Sequence, residues 1–231
     1  MGRTAHQSGR EGIKAVLFDL DGTLHDRNAT IREWLAHHVQ KFALPDAYAA
    51  RFLALDDFGY RPKSEVMPLL VREFQLLHDA DELLADFSER AFSNPVLMPH
   101  AHDVLQALRA SGVRTGIVTN GWVEKQTLTL QGLNLLDLVD DVVISKAVGL
   151  SKPDPRIYHL ALDRLGVQAA QAAQTWFVGD SPRNDVWGPQ QVGLRTAFLQ
   201  TGHALQDEQP DVILNDLRDV LSLVTSPLAT S

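Results

Sequence analysis

The sequence predicts an α/β protein. It should hold a doubly wound parallel sheet with helices on both faces, plus a small all-helical unit inserted after the first strand. Three observations carry this. Ala15 to Phe18 is a short, wholly apolar run, as suits a strand buried on both faces. From Pro99 onward, strand-length apolar runs alternate with helical periodicity, the pattern of successive strand–helix units. Between Leu24 and Pro99 the apolar residues recur at helical spacing and no strand is evident. A parallel crossover uses one helix rather than four, so these helices are expected to stand apart from the sheet. The expected division is a disordered tail over 1–12, a helical unit over 25–97, and a sheet domain made of 13–24 and 98–231.

In chain order, Thr30 and Glu33 form a capping-box pattern ahead of Trp34, Leu35, His38, Val39 and Phe42 at helical spacing. Leu44-Pro45-Asp46 ends that helix, and three more are expected over about 47–55, 65–77 and 81–92. Beyond Pro99, helices over 102–110 and 123–130 are followed by glycines suited to the residue after a helix, Gly112 and Gly132. Asp154-Pro155 supplies an N-cap and a first helical residue, and Gly166 closes that helix. Helices over 184–192 and 217–224 complete the set, and Pro189 should bend the first of these or delay its start. Strands are expected over 113–119, 141–145, 175–178, 195–199 and 211–214, with a loose tail from Thr225 to Ser231.

The chain has 231 residues, 45% hydrophobic and 22% charged, ordinary for a soluble globular protein with room for one core and an insert. A net charge of -8 argues against nucleic acid as a partner, because phosphate backbones reward a basic face. There is no cysteine, which excludes disulfides, thiolate metal sites and a cysteine nucleophile. No apolar run reaches membrane-spanning length and the N-terminus has no apolar leader segment, so a cytoplasmic protein is expected. Neither a Gly-x-Gly-x-x-Gly nor a Walker sequence occurs, which leaves dinucleotide and kinase readings without support. Oligomeric state, monomer or homodimer, is not encoded in any motif.

Four blocks carry chemistry, each at the end of an expected strand. Asp19 and Asp21 close the first strand before Gly22. Alternate residues project to one side, so the two carboxylates repel unless a cation, a proton or a substrate group lies between them. Thr119-Asn120-Gly121 follows the second strand; the Thr119 hydroxyl suits a phosphoryl oxygen, and the Asn120 and Gly121 amides stand at a helix start where anions bind. Lys152 sits directly before Pro153-Asp154-Pro155, a rigid frame for a cation. Gly179-Asp180 leads to Asp185, adding carboxylates of the kind that hold magnesium together with water and phosphate oxygens. Taken singly, the Asp-Gly and Thr-Asn-Gly sequences are also ordinary turn chemistry, and an acid such as Asp185 is favoured at any helix start.

With these blocks in this order, the chain resembles the haloacid dehalogenase superfamily over roughly 14–200. The resemblance implies a Rossmann-like core whose helical insert closes over the site as a cap. It implies that Asp19 is the nucleophile, that Asp21 is the general acid and base, and that Thr119 and Lys152 hold the phosphoryl group, with Asn120 and Gly121 alongside. It implies Mg2+ on Asp19, the Asp21 backbone and Asp180, with Asp185 in an outer or lysine-orienting role. Asp21 favours phosphate esters over dehalogenation. The implied activity is hydrolysis of a small phosphorylated metabolite; a sugar-phosphate mutase and a non-catalytic binding protein are the alternatives.

The resemblance is strongest to pyrimidine 5′-nucleotidases and acylneuraminate 9-phosphatases, which suggests a nucleoside monophosphate stacked on Trp34, Phe58, Tyr60 and Trp122. Other residues are expected to be structural. His100 and His102 lack a third zinc ligand, His37-His38 reads as a solvated helix face, Trp187 suits packing, and Trp122 suits packing unless its place after Thr119-Asn120-Gly121 brings it to the cleft.

Overall fold

The computed structural model describes residues 12–225; the expected tails at 1–11 and 226–231 lie outside the described residues. Strand β1 (Ala15–Phe18) is followed by four helices, α1 (Arg27–Lys41), α2 (Ala47–Asp56), α3 (Lys63–Phe74) and α4 (Ala80–Arg90). The alternating part then runs α5 (Ala101–Ala110), β2 (Arg114–Thr119), α6 (Val123–Gly132), β3 (Asp141–Ile144), α7 (Ser145–Val148), α8 (Pro155–Arg164) and β4 (Thr175–Gly179). It closes with α9 (Gly188–Gln190), β5 (Arg195–Leu199), β6 (Val212–Leu214) and α10 (Val220–Thr225). No described helix is long and apolar enough to cross a membrane.

All neighbouring strands pair in parallel, in the order β3-β2-β1-β4-β5-β6. The order reverses between β1 and β4, and in such sheets the crevice at that reversal, beyond the strands' C-terminal ends, is where ligands bind. Alternation along β1 sends Val16 and Phe18 into one apolar layer with α5 and α10, and Ala15 and Leu17 into the other with α8. Both faces are covered, which is why β1 reads as an unbroken apolar run.

The four inserted helices bury their own apolar cluster, built around Ile31, Tyr48, Phe52, Met67 and Leu83. The chain enters and leaves this unit through two segments that lie side by side. Asp26 N donates to Val96 O (2.8 Å) and Met98 N to Leu24 O (2.9 Å).

Several local expectations change. Helix α1 begins at Arg27, because Asp26 accepts from Ala29 N (2.9 Å) and caps the helix one turn before Thr30. The Thr30 hydroxyl instead accepts from Val96 N (2.8 Å) and holds the exit segment. Helix α3 stops at Phe74, where Gln75 turns left-handed, so Leu77 lies outside it. His38 is not on a solvated face: it is buried, with Nδ1 2.7 Å from the Asp86 carboxylate, while its neighbour His37 is exposed. After β4 a π-helical turn (Pro182–Trp187) precedes α9, so the α-helix starts late, with Pro189 in its first turn where a missing N–H costs nothing.

Candidate active site

The C-terminal ends of β1, β2 and β4 bring the chemical groups to one point. Lys152 is the hub. Its Nζ lies 2.8 Å from Asp19 Oδ1 and 2.7 Å from Asp185 Oδ1, with all three side chains buried or nearly so. Asn120 fixes the lysine's backbone from both sides: its Oδ1 accepts from Lys152 N (2.9 Å) and its Nδ2 donates to Lys152 O (3.0 Å). The Asn120 side chain is thereby committed to positioning Lys152. The Gly121 amide is also committed, donating to Ser145 Oγ (3.0 Å), which corrects the expectation that it is open to an anion.

Asp19 Oδ1 also accepts from Leu20 N (2.7 Å), which leaves Oδ2 without a hydrogen bond among the described residues. Asp21 is held by two residues that no sequence motif marked. His25 Nδ1 lies 2.6 Å from Asp21 Oδ1, and Gln126 Nε2 donates to Asp21 Oδ2 (3.0 Å). Gln126 Nε2 also donates to Thr119 Oγ1 (2.6 Å), so the Thr119 hydroxyl keeps its own hydrogen for an acceptor in the cavity. Neither His25 nor Gln126 differs in sequence from an ordinary loop or helix residue; only the fold places them beside Asp21.

Electrostatics separate the two aspartates. Burial, reinforced by Asp185 and Asp21, pushes the Asp19 carboxyl up to about 7 despite Lys152. Asp180 is raised for the same reasons, burial first and then the charges of Asp19 and Asp185. Burial also acts on Asp21, but the His25 hydrogen bond and charge, with Lys125 and Gln126, outweigh it and hold this carboxyl well below the usual range. Lys152 is kept charged by Asp185 and Asp19 against its own desolvation.

Asp19, Asp180 and Asp185 each offer an oxygen within 4.8 Å of the others. Lys152 offsets only part of the repulsion among three buried acids so close, and a divalent cation beside Asp180 would relieve the rest. The residues therefore fit a magnesium ion. Both oxygens of Asp185 are engaged, by Lys152 and by Ser181 N (2.9 Å), which suits it to a supporting place. Gly22 and Gly202 enclose the Asp180 carboxylate; a Cβ at either would collide with it.

Above these groups lies a cavity of about 470 Å³, roofed by the helical insert. The insert touches the sheet domain around it. The Tyr60 hydroxyl bonds Ser181 Oγ, Asn28 Nδ2 donates to Thr201 O (2.9 Å), and His203 Nε2 lies 2.7 Å from Asp57 Oδ1. Phe58, Tyr60 and Trp122 line the cavity. Trp122 is 66% exposed, so of the two places its sequence allows it takes the cavity rim and not the packed interior. Trp34 does not reach the cavity. It is buried in the insert, its Nε1 donating to Asp86 (3.0 Å), because α1 turns that face toward Phe52 and Phe87. His102 bonds the Leu133 carbonyl (2.8 Å), His100 stands near Asp103 and Asp216, and Trp187 packs under Arg183 (3.7 Å).

The family description of haloacid dehalogenase-like hydrolases matches residues 13–193, the span that holds Asp19, Asp21, Thr119, Lys152, Asp180 and Asp185. The chain belongs to that family. This hydrolase is 30% identical to a glyceraldehyde 3-phosphate phosphatase of Pyrococcus abyssi, over 82% of each chain. It is 36% identical to a phosphoserine phosphatase of Thermus thermophilus over 126 residues, 54% of this chain and 49% of the relative, so that match spans about half of the relative's length. Among solved structures, the magnesium-bound HAD-hydrolase YfnB of Bacillus subtilis superposes with a TM-score of 0.79 at 21% identity, covering 94% of this hydrolase and all of that chain, a likeness of fold.

Proposed function

We propose that this hydrolase removes phosphate from a small phosphorylated metabolite through a phospho-Asp19 intermediate, with magnesium as its cofactor. The observation that carries the reading is Asp19 itself, a buried carboxylate with one oxygen held by Lys152 and the other free of hydrogen bonds among the described residues. The free oxygen attacks phosphorus while the bond from phosphorus to the leaving oxygen breaks. Lys152 and the Thr119 hydroxyl draw the phosphoryl oxygens toward Asp19 and offset their charge. Asp19 and Asp180, with the Asp21 backbone, would hold magnesium, whose charge would offset that of the phosphoryl group.

The Asp21–His25 pair handles the proton. His25 Nε2 lies 2.8 Å from Thr30 Oγ1, whose hydroxyl hydrogen is directed at Asp26 O (3.0 Å). His25 Nε2 is then the donor, and the 2.6 Å contact to Asp21 holds one more proton. That proton passes to the leaving oxygen. The emptied pair then takes a proton from water, which attacks phosphorus and releases Asp19. In this reading residues 25–97 are a cap that excludes bulk water from the phosphoenzyme, and a mutase would be told from a hydrolase by recovery of an isomer rather than free phosphate.

Two outcomes test the metal site. Activity toward an aryl phosphate should vanish with chelator, return with magnesium, and return poorly with calcium, whose longer and looser coordination misplaces the nucleophile. Equal rates with either ion count against the assignment. Gly22→Ala should lower kcat on the order of 10²-fold, since shifting Asp180 by even an ångström spoils the attack geometry. A variant of unchanged kcat would show that Asp180 has no part in the reaction.

A nucleoside monophosphate remains the second reading of the substrate, favoured by Phe58, Tyr60 and Trp122 at the cavity mouth.

A further inference from the structure

Cations stand around the upper part of the cavity. Arg27 at the start of α1, Lys63 at the start of α3 and Lys125 in the first turn of α6 all line it. One buried carboxylate, Asp56, serves two of them: it accepts from Arg27 Nη1 and Nη2 (2.7 and 2.9 Å) and lies 2.6 Å from Lys63 Nζ. Lys125 has no carboxylate within ion-pair distance among the described residues. Its ammonium lies over the Phe92 ring, 3.5 Å from the centroid, and 5.7 Å from that of Phe87. Burial, together with Arg27 and Lys63, presses its pKa down to about 8. Arg27 and Lys63 are themselves nearly buried. Arg27 and Lys63 share one carboxylate and Lys125 has only the longer-range attraction of Asp21, so positive charge is in excess in this partly desolvated part of the cavity, and an anion entering it relieves the excess.

The phosphoryl group already has partners on the floor, in Lys152 and Thr119. Building on the phosphatase reading, we propose that the leaving group of the substrate carries a second anionic group, a carboxylate or a second phosphoryl, and that Lys125 with the Arg27–Lys63 pair receives it. Lys125 is the specificity-determining member, since it alone lacks a fixed counter-charge. Its place one residue before Gln126, which bonds both Asp21 and Thr119, ties the anion site to the reaction centre. An anion seated on Lys125 thus sets the leaving oxygen beside Asp21.

The test compares matched substrates that differ only in the second anion: 3-phosphoglycerate against glycerol 1-phosphate, and 1,3-propanediol bisphosphate against propyl phosphate. In the wild type, kcat/KM should favour at least one anionic member on the order of tenfold to a hundredfold, mainly through KM, and the better arm identifies carboxylate or phosphoryl. Lys125→Met, which keeps the packing on Phe87 and Phe92, should remove that preference; the uncharged member and an aryl phosphate lose only the effect of the Lys125 charge on Asp21, read from their pH profiles, and so fall less than the anionic member. Lys125→Arg should restore most of it. Circular dichroism and melting of each variant report folding independently. The proposal is overturned if both members of each pair react equally in the wild type, if a pyrimidine nucleoside monophosphate outperforms all anionic members, or if Lys125→Met slows every phosphate ester alike. That last result would mean Lys125 serves the transferring phosphoryl group. No phosphate release from any ester with magnesium, aryl phosphate included, would instead remove the phosphatase reading on which the proposal stands.

Discussion

Asp19→Asn is expected to lower phosphate release from an aryl phosphate on the order of 10⁴-fold or more while leaving the fold intact, because loss of a nucleophile removes the covalent route entirely. The substitution keeps the shape of the side chain. Lys152 retains its 2.7 Å bond to Asp185, so no buried cation is left unpaired. Removing one of three crowded buried carboxylates also relieves repulsion, and the melting temperature should hold steady or rise slightly. Retention of more than about a tenth of wild-type activity would exclude Asp19 as nucleophile.

The second large effect is on stability. Asp56→Ala should cost about 3–5 kcal/mol, because it strands two nearly buried cations, Arg27 and Lys63, that share this carboxylate. Gly59 packs its backbone directly against the Arg27 guanidinium, so the arginine has little freedom to turn toward water. Urea melts of variant and wild type give the difference. Its pH dependence has a definite sign. Burial alone would raise the Asp56 pKa, but Arg27 and Lys63 together hold it below its ordinary value. The carboxylate therefore contributes its full stabilisation above pH of about 4, and the contribution fades as acid titrates the folded state below that. A difference that stays constant into stronger acid, or one under about 1 kcal/mol at neutral pH, would show that the two cations find water or other partners.

These expectations rest on different levels of the chain. The parallel sheet was legible because burial on both faces leaves a plain mark: Ala15 to Phe18 can be apolar throughout only where helices cover both sides. The helical insert was legible from period alone. Asp19, Asp21, Thr119 and Asp180 were legible as candidates because they lie at or just past strand ends, at the edge where a doubly wound sheet opens its crevice, and Lys152 because of its Pro153-Asp154-Pro155 frame, although α7 separates it from the end of β3. What each of them touches was not. His25 and Gln126 reach Asp21 from a turn and from a helix 105 residues apart in sequence from it at the farther end, and no local pattern encodes such a meeting.

Helix faces show the same division. Periodicity placed Trp34 and His38 on a helix, but which way that helix turned was decided by Asp86, a buried carboxylate on α4 that draws in Trp34, His38 and Lys41. Trp122 could by sequence have packed or reached the cleft, and it stands at the cavity rim, since α6 begins only after it. The sequence by itself determined the sheet, the insert and the order of acidic and basic groups along the strand ends, because these follow from local periodicity and turn chemistry. Only the tertiary structure decided which charges are shared. Asp56 between Arg27 and Lys63, Lys125 with no carboxylate at ion-pair distance among the described residues, and Asn120 clamped on Lys152 all arise from long-range packing in a low-dielectric interior, where the balance of buried charge is set by what the fold brings together.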